Sequence, residues 1–165
     1  MTGSNGGRMK AHLSYAALLD AIGFAVEQAG GADVLVHELP THVLVSFVTP
    51  TEQQVVRWTR AEVVALHATA TAADAEARTR HGAIVHLQGR RRAPDRASLR
   101  ARLRVVGQYL DERAARALVL QEHAGGCYLA FTGQEMESRT MDVIRVTEML
   151  NAAHVEALLA RSGAS

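Results

Sequence analysis

Glu38 and Glu122 stand 84 residues apart, and each has a histidine beside it: His37 before Glu38 and His123 after Glu122, with His42 four residues beyond the first acid. Two carboxylates brought together can divide labour, one protonated as general acid and the other ionised as general base. Imidazole beside carboxylate is also ordinary metal-ligand chemistry. Either arrangement would make the chain a small hydrolase or a metal-dependent enzyme. Neither pattern is complete. No third catalytic partner is visible, and the histidine spacing matches no metal signature. The simpler reading is a half-exposed glutamate at the end of each strand and surface histidines at hairpin tips. Glu38 and Glu122 therefore stand as candidate acids, and His37, His42 and His123 as candidate ligands. No catalytic residue and no cofactor is assigned.

A second kind of chemistry is suggested by arginines. Arg90, Arg91 and Arg92 are consecutive, and Arg96, Arg100 and Arg104 follow at intervals of four, along one face of a helix. Such a stripe could neutralise phosphates, so nucleic-acid binding through 90–104 is the first alternative function. Against it, no aromatics are interleaved for base stacking, and the whole chain carries only +1. Residues 1–82 hold 6 bases and 8 acids, and the remainder hold 12 and 9. The rival reading is a solvated linker and helix face, paired with acids such as Asp95 and Asp111. Cys127 falls at an apolar strand position, where a thiol behaves as a small hydrophobe. Trp58 is expected to pack beside a helix start. The glycine pairs at 30–31 and 125–126 are turn residues, since no phosphate-loop spacing surrounds them.

These residues must be held by something, and the chain suggests what. With Ser14 placed over Ser98, residues 14–50 align with 98–134 without a gap. Ser14/Ser98, Leu19/Leu103, Gly23/Gly107, Glu38/Glu122 and Phe47/Phe131 are identical, and the apolar positions between them match. Farther on, Glu62 is set over Asp142, which makes the second segment four residues shorter between hairpin and final helix. A matched pattern of this length predicts an internal duplication.

Each unit reads as helix, hairpin, helix. Ser14 and Ser98 are expected N-caps. Tyr15, Leu19, Ile22, Gly23 and Val26 form one helical face, as do Leu99, Leu103, Val106, Gly107 and Leu110. A glycine within each stripe predicts close approach of another backbone. Val34–Val36 and Val43–Val45 make one hairpin. Leu118–Leu120 and Cys127–Leu129 make the other, with Val43, Val45 and Phe47 sharing a face with one another. Val55–Trp58 and Ala83–Leu87 are candidate extra strands. Thr59 and Glu62 form a capping-box pattern for a helix ending by Gly82. The last helix is expected from about Thr140 to Ser162.

The expected fold is α+β: a tandem duplication of a helix–β-hairpin–helix unit. It would form a pseudo-twofold antiparallel sheet of four strands or slightly more, with helices mainly on one face. The expected division is a lead at 1–12, a first copy at 13–82, an Arg-rich linker at 83–97 and a second copy at 98–163, both copies packed as one compact domain. A unit of that size is marginal alone, which argues for joining the two. Composition is globular, with 48% hydrophobic and 21% charged residues. One cysteine suits a reducing compartment, and no apolar run approaches the roughly 20 residues of a membrane helix. A cytoplasmic protein that does not enter membranes is expected. The leading function is a non-enzymatic binding or protein-interaction protein. It would use the groove between the halves, or the sheet face away from the helices, for a protein or small ligand of unknown identity. Homo-oligomers are expected if an edge strand stays exposed.

Overall fold

The computed structural model describes residues 12–84, 97–137 and 139–163. The elements run α1 (Tyr15–Gln28), β1 (Ala32–Glu38), β2 (His42–Val48), β3 (Gln53–Thr59), α2 (Arg60–Ile84), α3 (Leu99–Glu112), β4 (Arg116–His123), β5 (Gly126–Glu137), β6 (Thr140–Leu150) and α4 (Ala152–Ser162). All six strands form one antiparallel sheet in the order β3-β2-β1-β4-β5-β6. The chain is thus α+β.

Local chemistry sets the element ends. Ser14 Oγ accepts from the Ala17 amide and Ser98 Oγ from the Ala101 amide, so each serine satisfies an orphan donor of its helix. The capping box is present: the Thr59 amide donates to Glu62 and the Glu62 amide donates to Thr59 Oγ1. Helix α1 closes with Gly30 at φ +69° and the Gly31 amide donating to Val26 O. Helix α3 closes with the same bond, Ala115 to Leu110 O, although Ala114 must take φ +48° to make it.

Strand alternation sorts the side chains. Val34, Val36, Val43, Val45, Phe47, Leu118, Leu120, Cys127, Leu129 and Phe131 are buried and join one core with Leu19, Ile22 and Val26 of α1 and Leu103, Val106 and Leu110 of α3. Val63 of α2 and Val155 of α4 complete it. The helices therefore cover one face of the sheet. α1 and α3 lie antiparallel and touch at their glycines. A Cβ on Gly23 would sit 2.7 Å from Arg100 Cα, and one on Gly107 would sit 2.6 Å from Ala16 Cα. Each helix also caps the other. Both Asp111 oxygens accept from the Tyr15 and Ala16 amides, and Glu27 accepts from the Arg100 amide. A carboxylate at a helix N-terminus also favours the helix dipole.

Several expectations need correction. The sheet has six strands, where four or slightly more were expected, because Gln53–Thr59, which contains the candidate strand Val55–Trp58, and Thr140–Leu150 both pair. Thr140–Leu150 is a strand where a helix was expected. Its Val143, Ile144, Val146 and Thr147 are β-branched, and successive residues turn alternately toward and away from the helical layer. The last helix starts only at Ala152, where Asn151 accepts from the His154 amide. Trp58 faces Val43 across the sheet, and Leu150 faces Cys127. The second hairpin extension is longer than the first, not shorter. Helix α2 runs past Gly82 to Ile84, so Ala83 and Ile84 are helical rather than extended. The rest of that candidate strand, and the Gly89–Arg96 linker, lie outside the described residues.

Candidate functional site

Glu38 ends β1 and enters a cavity of about 390 Å³ at the junction of the two halves of the chain. Its floor is apolar: Leu18 from α1, Val43 from β2 and Val63 from α2. Glu38 Oε1 accepts from the Tyr15 hydroxyl at 3.0 Å and from the Ala117 amide at 3.2 Å. Burial, and then the Glu38 charge, push the Tyr15 hydroxyl well above the usual phenol range, so it stays a donor. Among the described residues, Glu38 Oε2 has no hydrogen-bond partner. Arg60 and Arg116 line the same cavity. Arg60 makes only two long bonds, to Pro40 O and Leu39 O at 3.4 Å, and Arg116 has no partner among the described residues.

Glu122 lines a different cavity, of about 490 Å³. It is 3% exposed and bound by Arg102 Nε and Nη2 at 3.2 and 2.9 Å, with the Gly125 amide also donating. The β1–β4 register sets Val36 opposite Leu120. Continued, it sets Glu122 beside Val34, four residues from Glu38 along β1, or about 13 Å. The two acids are not brought together.

Nor are the histidines. His37 lies between Leu44 and Val119 on the uncovered face. His42 Nδ1 is 2.9 Å from Thr41 Oγ1, and His123, at the far end of β4, holds Asp33 at 2.6 Å. Among the described residues no group of three or more His, Cys, Asp or Glu is placed to hold a metal ion. Cys127 is buried, and desolvation pushes its thiol up to about 12.

Of the arginine stripe, Arg90, Arg91, Arg92 and Arg96 lie outside the described residues. Arg100 is committed internally. It donates to both oxygens of Asp20 at 2.9 and 3.0 Å and both of Asp74 at 2.7 Å, and its guanidinium sits 5.2 Å from the Phe24 ring centre. Arg104 is half exposed, 3.9 Å from Asp20. Among the described residues His67 Nδ1 is buried without a hydrogen-bond partner, 4.0 Å from the same carboxylate. This cluster ties α1, α2 and α3 together. Asp20 and Asp74 carried no signal in the sequence beyond one acid sitting inside an apolar helical stripe.

The uncovered sheet face is the other notable surface. Leu35, Val48, Val55, Tyr128, Met141, Val143 and Met149 are exposed, and all lie at strand positions facing away from the helices. Val64 is the one further large hydrophobic residue exposed among the described residues. Across the sheet the register forms a row Val55–Ser46–Leu35–Gln121–Tyr128–Met149. Arg57 and Arg145 share this face. Asp33, beside it, is already held by His123. Alternation alone could have flagged these positions, since apolar residues occupy both parities of β3 and β6.

No helix among the described residues is long and apolar enough to cross a membrane. No family model, curated protein or solved structure matches this chain.

Proposed function

We propose that this is a non-enzymatic protein-interaction protein whose docking surface is the uncovered face of the sheet. One observation carries the reading: the exposed large hydrophobic residues of the strands all fall on that face. Val55, Val143 and Met149 are each more than two-thirds exposed there. Large exposed apolar residues gathered on one face mark interaction sites on monomers. Six strands about 4.8 Å apart and about seven residues long give a face of roughly 650 Å², near the about 800 Å² one partner contributes to a standard interface. The occupant is a protein presenting an apolar strip bordered by carboxylates. Arg57 and Arg145 would complement such acids, and a second copy of the same face would oppose arginine with arginine.

The face is continuous because the halves meet at its centre, and we attribute that to tandem duplication with pseudo-twofold symmetry. Several features support this origin. Under the 84-residue offset Val36 is paired with its own counterpart, Leu120. Gly30 and Ala114, and Asp33 and Ala117, are matched positions with positive φ. Glu27 and Asp111 are matched carboxylates that cap each other's helices.

A photoactivatable residue at Val55, Tyr128 or Met149 tests the docking reading in cells. Binary affinity of the crosslinked protein is then measured for the wild type and for V55K/M149K. The expected result is crosslinking from all three sites, and binding that weakens with salt and at least tenfold in the variant, with an unchanged fold. Crosslinks only to the chain itself, or an affinity indifferent to V55K/M149K, would overturn it.

A further inference from the structure

The geometry points to a second binding site, independent of the sheet face: the Glu38 cavity takes a small zwitterion with an apolar side chain, of the α-amino-acid class. The argument is one of charge. Glu38 is turned into the cavity by Tyr15 and the Ala117 amide, both donating to Oε1, which leaves Oε2 open. Arg60 and Arg116 border the same space, one held by two long bonds and the other by none among the described residues. A simple cation in this cavity would face two guanidiniums. A simple anion would face the carboxylate. A ligand with an ammonium for Glu38 and a carboxylate for the arginines satisfies both. Leu18, Val43 and Val63 then offer the remaining wall to an aliphatic side chain. The Asp111 carboxylate also borders the cavity, but both its oxygens are used by helix α1.

The cavity around Glu122 supplies the contrast. There Arg102 neutralises the buried acid from within, where Leu18 occupies the matched position beside Glu38. Ala152 stands where Arg60 does, and Ala32 where Arg116 does. One cavity pairs its buried acid with an internal arginine, and the other holds two arginines with no carboxylate partner among the described residues.

The test is a titration of the full chain followed by NMR, with L-leucine, 3-methylbutylamine and 4-methylpentanoate as separate probes. L-leucine is expected to shift the resonances of Tyr15, Leu18, Val43 and Val63 saturably, and to leave Gly125 and Leu159 of the other cavity unmoved. Each half-probe should bind at least about tenfold more weakly, the loss of one charge-assisted contact. Glu38→Gln, which keeps the acceptors for Tyr15 and Ala117, should weaken leucine by about tenfold or more and leave 4-methylpentanoate no weaker. Arg116→Gln should do the converse, weakening leucine and sparing the amine. Absence of saturable shifts with leucine, equal affinity for leucine and either half-probe, or indifference to E38Q would each overturn the assignment. Because V55K/M149K leaves this cavity untouched, leucine binding and partner docking can fail separately.

Discussion

Replacing Arg100 with methionine should be among the most damaging single changes in this protein. The guanidinium donates four charge-assisted hydrogen bonds, two to Asp20 and two to Asp74, at 2.7–3.0 Å. Asp20 is only 5% exposed. Without Arg100 the cation left beside it is Arg104, at 3.9 Å and half exposed, with the His67 imidazole at 4.0 Å. Stranding a buried charge costs about 3–5 kcal/mol, and a solvent-screened pair such as Arg104–Asp20 returns about 1 kcal/mol at most. The net expectation is about 3 kcal/mol. With a urea m-value of about 2 kcal/mol/M, the midpoint should fall by about 1.5 M. Methionine keeps much of the aliphatic stem, so the loss reports charge more than packing. Asp74→Asn should cost about 1 kcal/mol or less, because that carboxylate is more than a third exposed and water can replace the bond. The variant D20N/R100M removes the stranded charge and should recover at least about 1 kcal/mol relative to the sum of the single losses. Urea denaturation followed by circular dichroism measures wild type, R100M, D20N, D74N and D20N/R100M. A cost below about 1 kcal/mol for R100M, or strict additivity in the cycle, would refute the view that this cluster clamps α1, α2 and α3.

Gly107→Ala gains up to about 1 kcal/mol of helix propensity, but its Cβ would press on the backbone of Tyr15 and Ala16. Overpacking at about 1–3 kcal/mol wins, so Tm should drop, whereas Gly163→Ala, with only an ordinary contact to Leu159 O, should change stability by less than about 0.5 kcal/mol. Cys127, buried and with its thiol pushed up to about 12, should resist a thiol reagent at neutral pH until the chain unfolds. Labelling that is fast under native conditions would contradict that burial. The hydrogen bond from Arg100 holds the Asp74 carboxyl below the usual carboxylate range. A depressed folded pKa means its stabilisation is complete above the unfolded value of about 3.9 and lost as pH falls through the folded one. Wild type and D74N should therefore differ in Tm at pH 7 and converge in strong acid, and a difference that grew on acidification would show the sign to be wrong.

The helix starts were legible in the chain because capping is local. Ser14, Ser98 and the Thr59/Glu62 pair need only partners three residues away, so their types and spacing suffice. The first hairpin strands were legible for a similar reason: short β-branched runs bounded by turn residues admit few other readings. Thr140–Leu150 was misread because its apolar residues fall on both faces of a strand. With no clean period of two, its similarity to the Glu62 segment suggested a helix. Pairing with β5 over eleven residues settles it, and that pairing is not a local property.

The candidate sites depended on the third dimension still more. The sequence by itself placed glutamates at matched strand ends and arginines along a helical face. It could not say that antiparallel pairing of β1 with β4 carries Glu38 and Glu122 away from each other, into separate cavities. Nor could it say that Arg100 is consumed by Asp20 and Asp74, 80 and 26 residues distant. Local pattern determines which residues turn toward a core. Which charges find partners, and which are left facing a cavity or a bare sheet, is decided only when distant segments pack, because a charge is neutralised by whatever lies within a few ångströms of it, however far along the chain that group began.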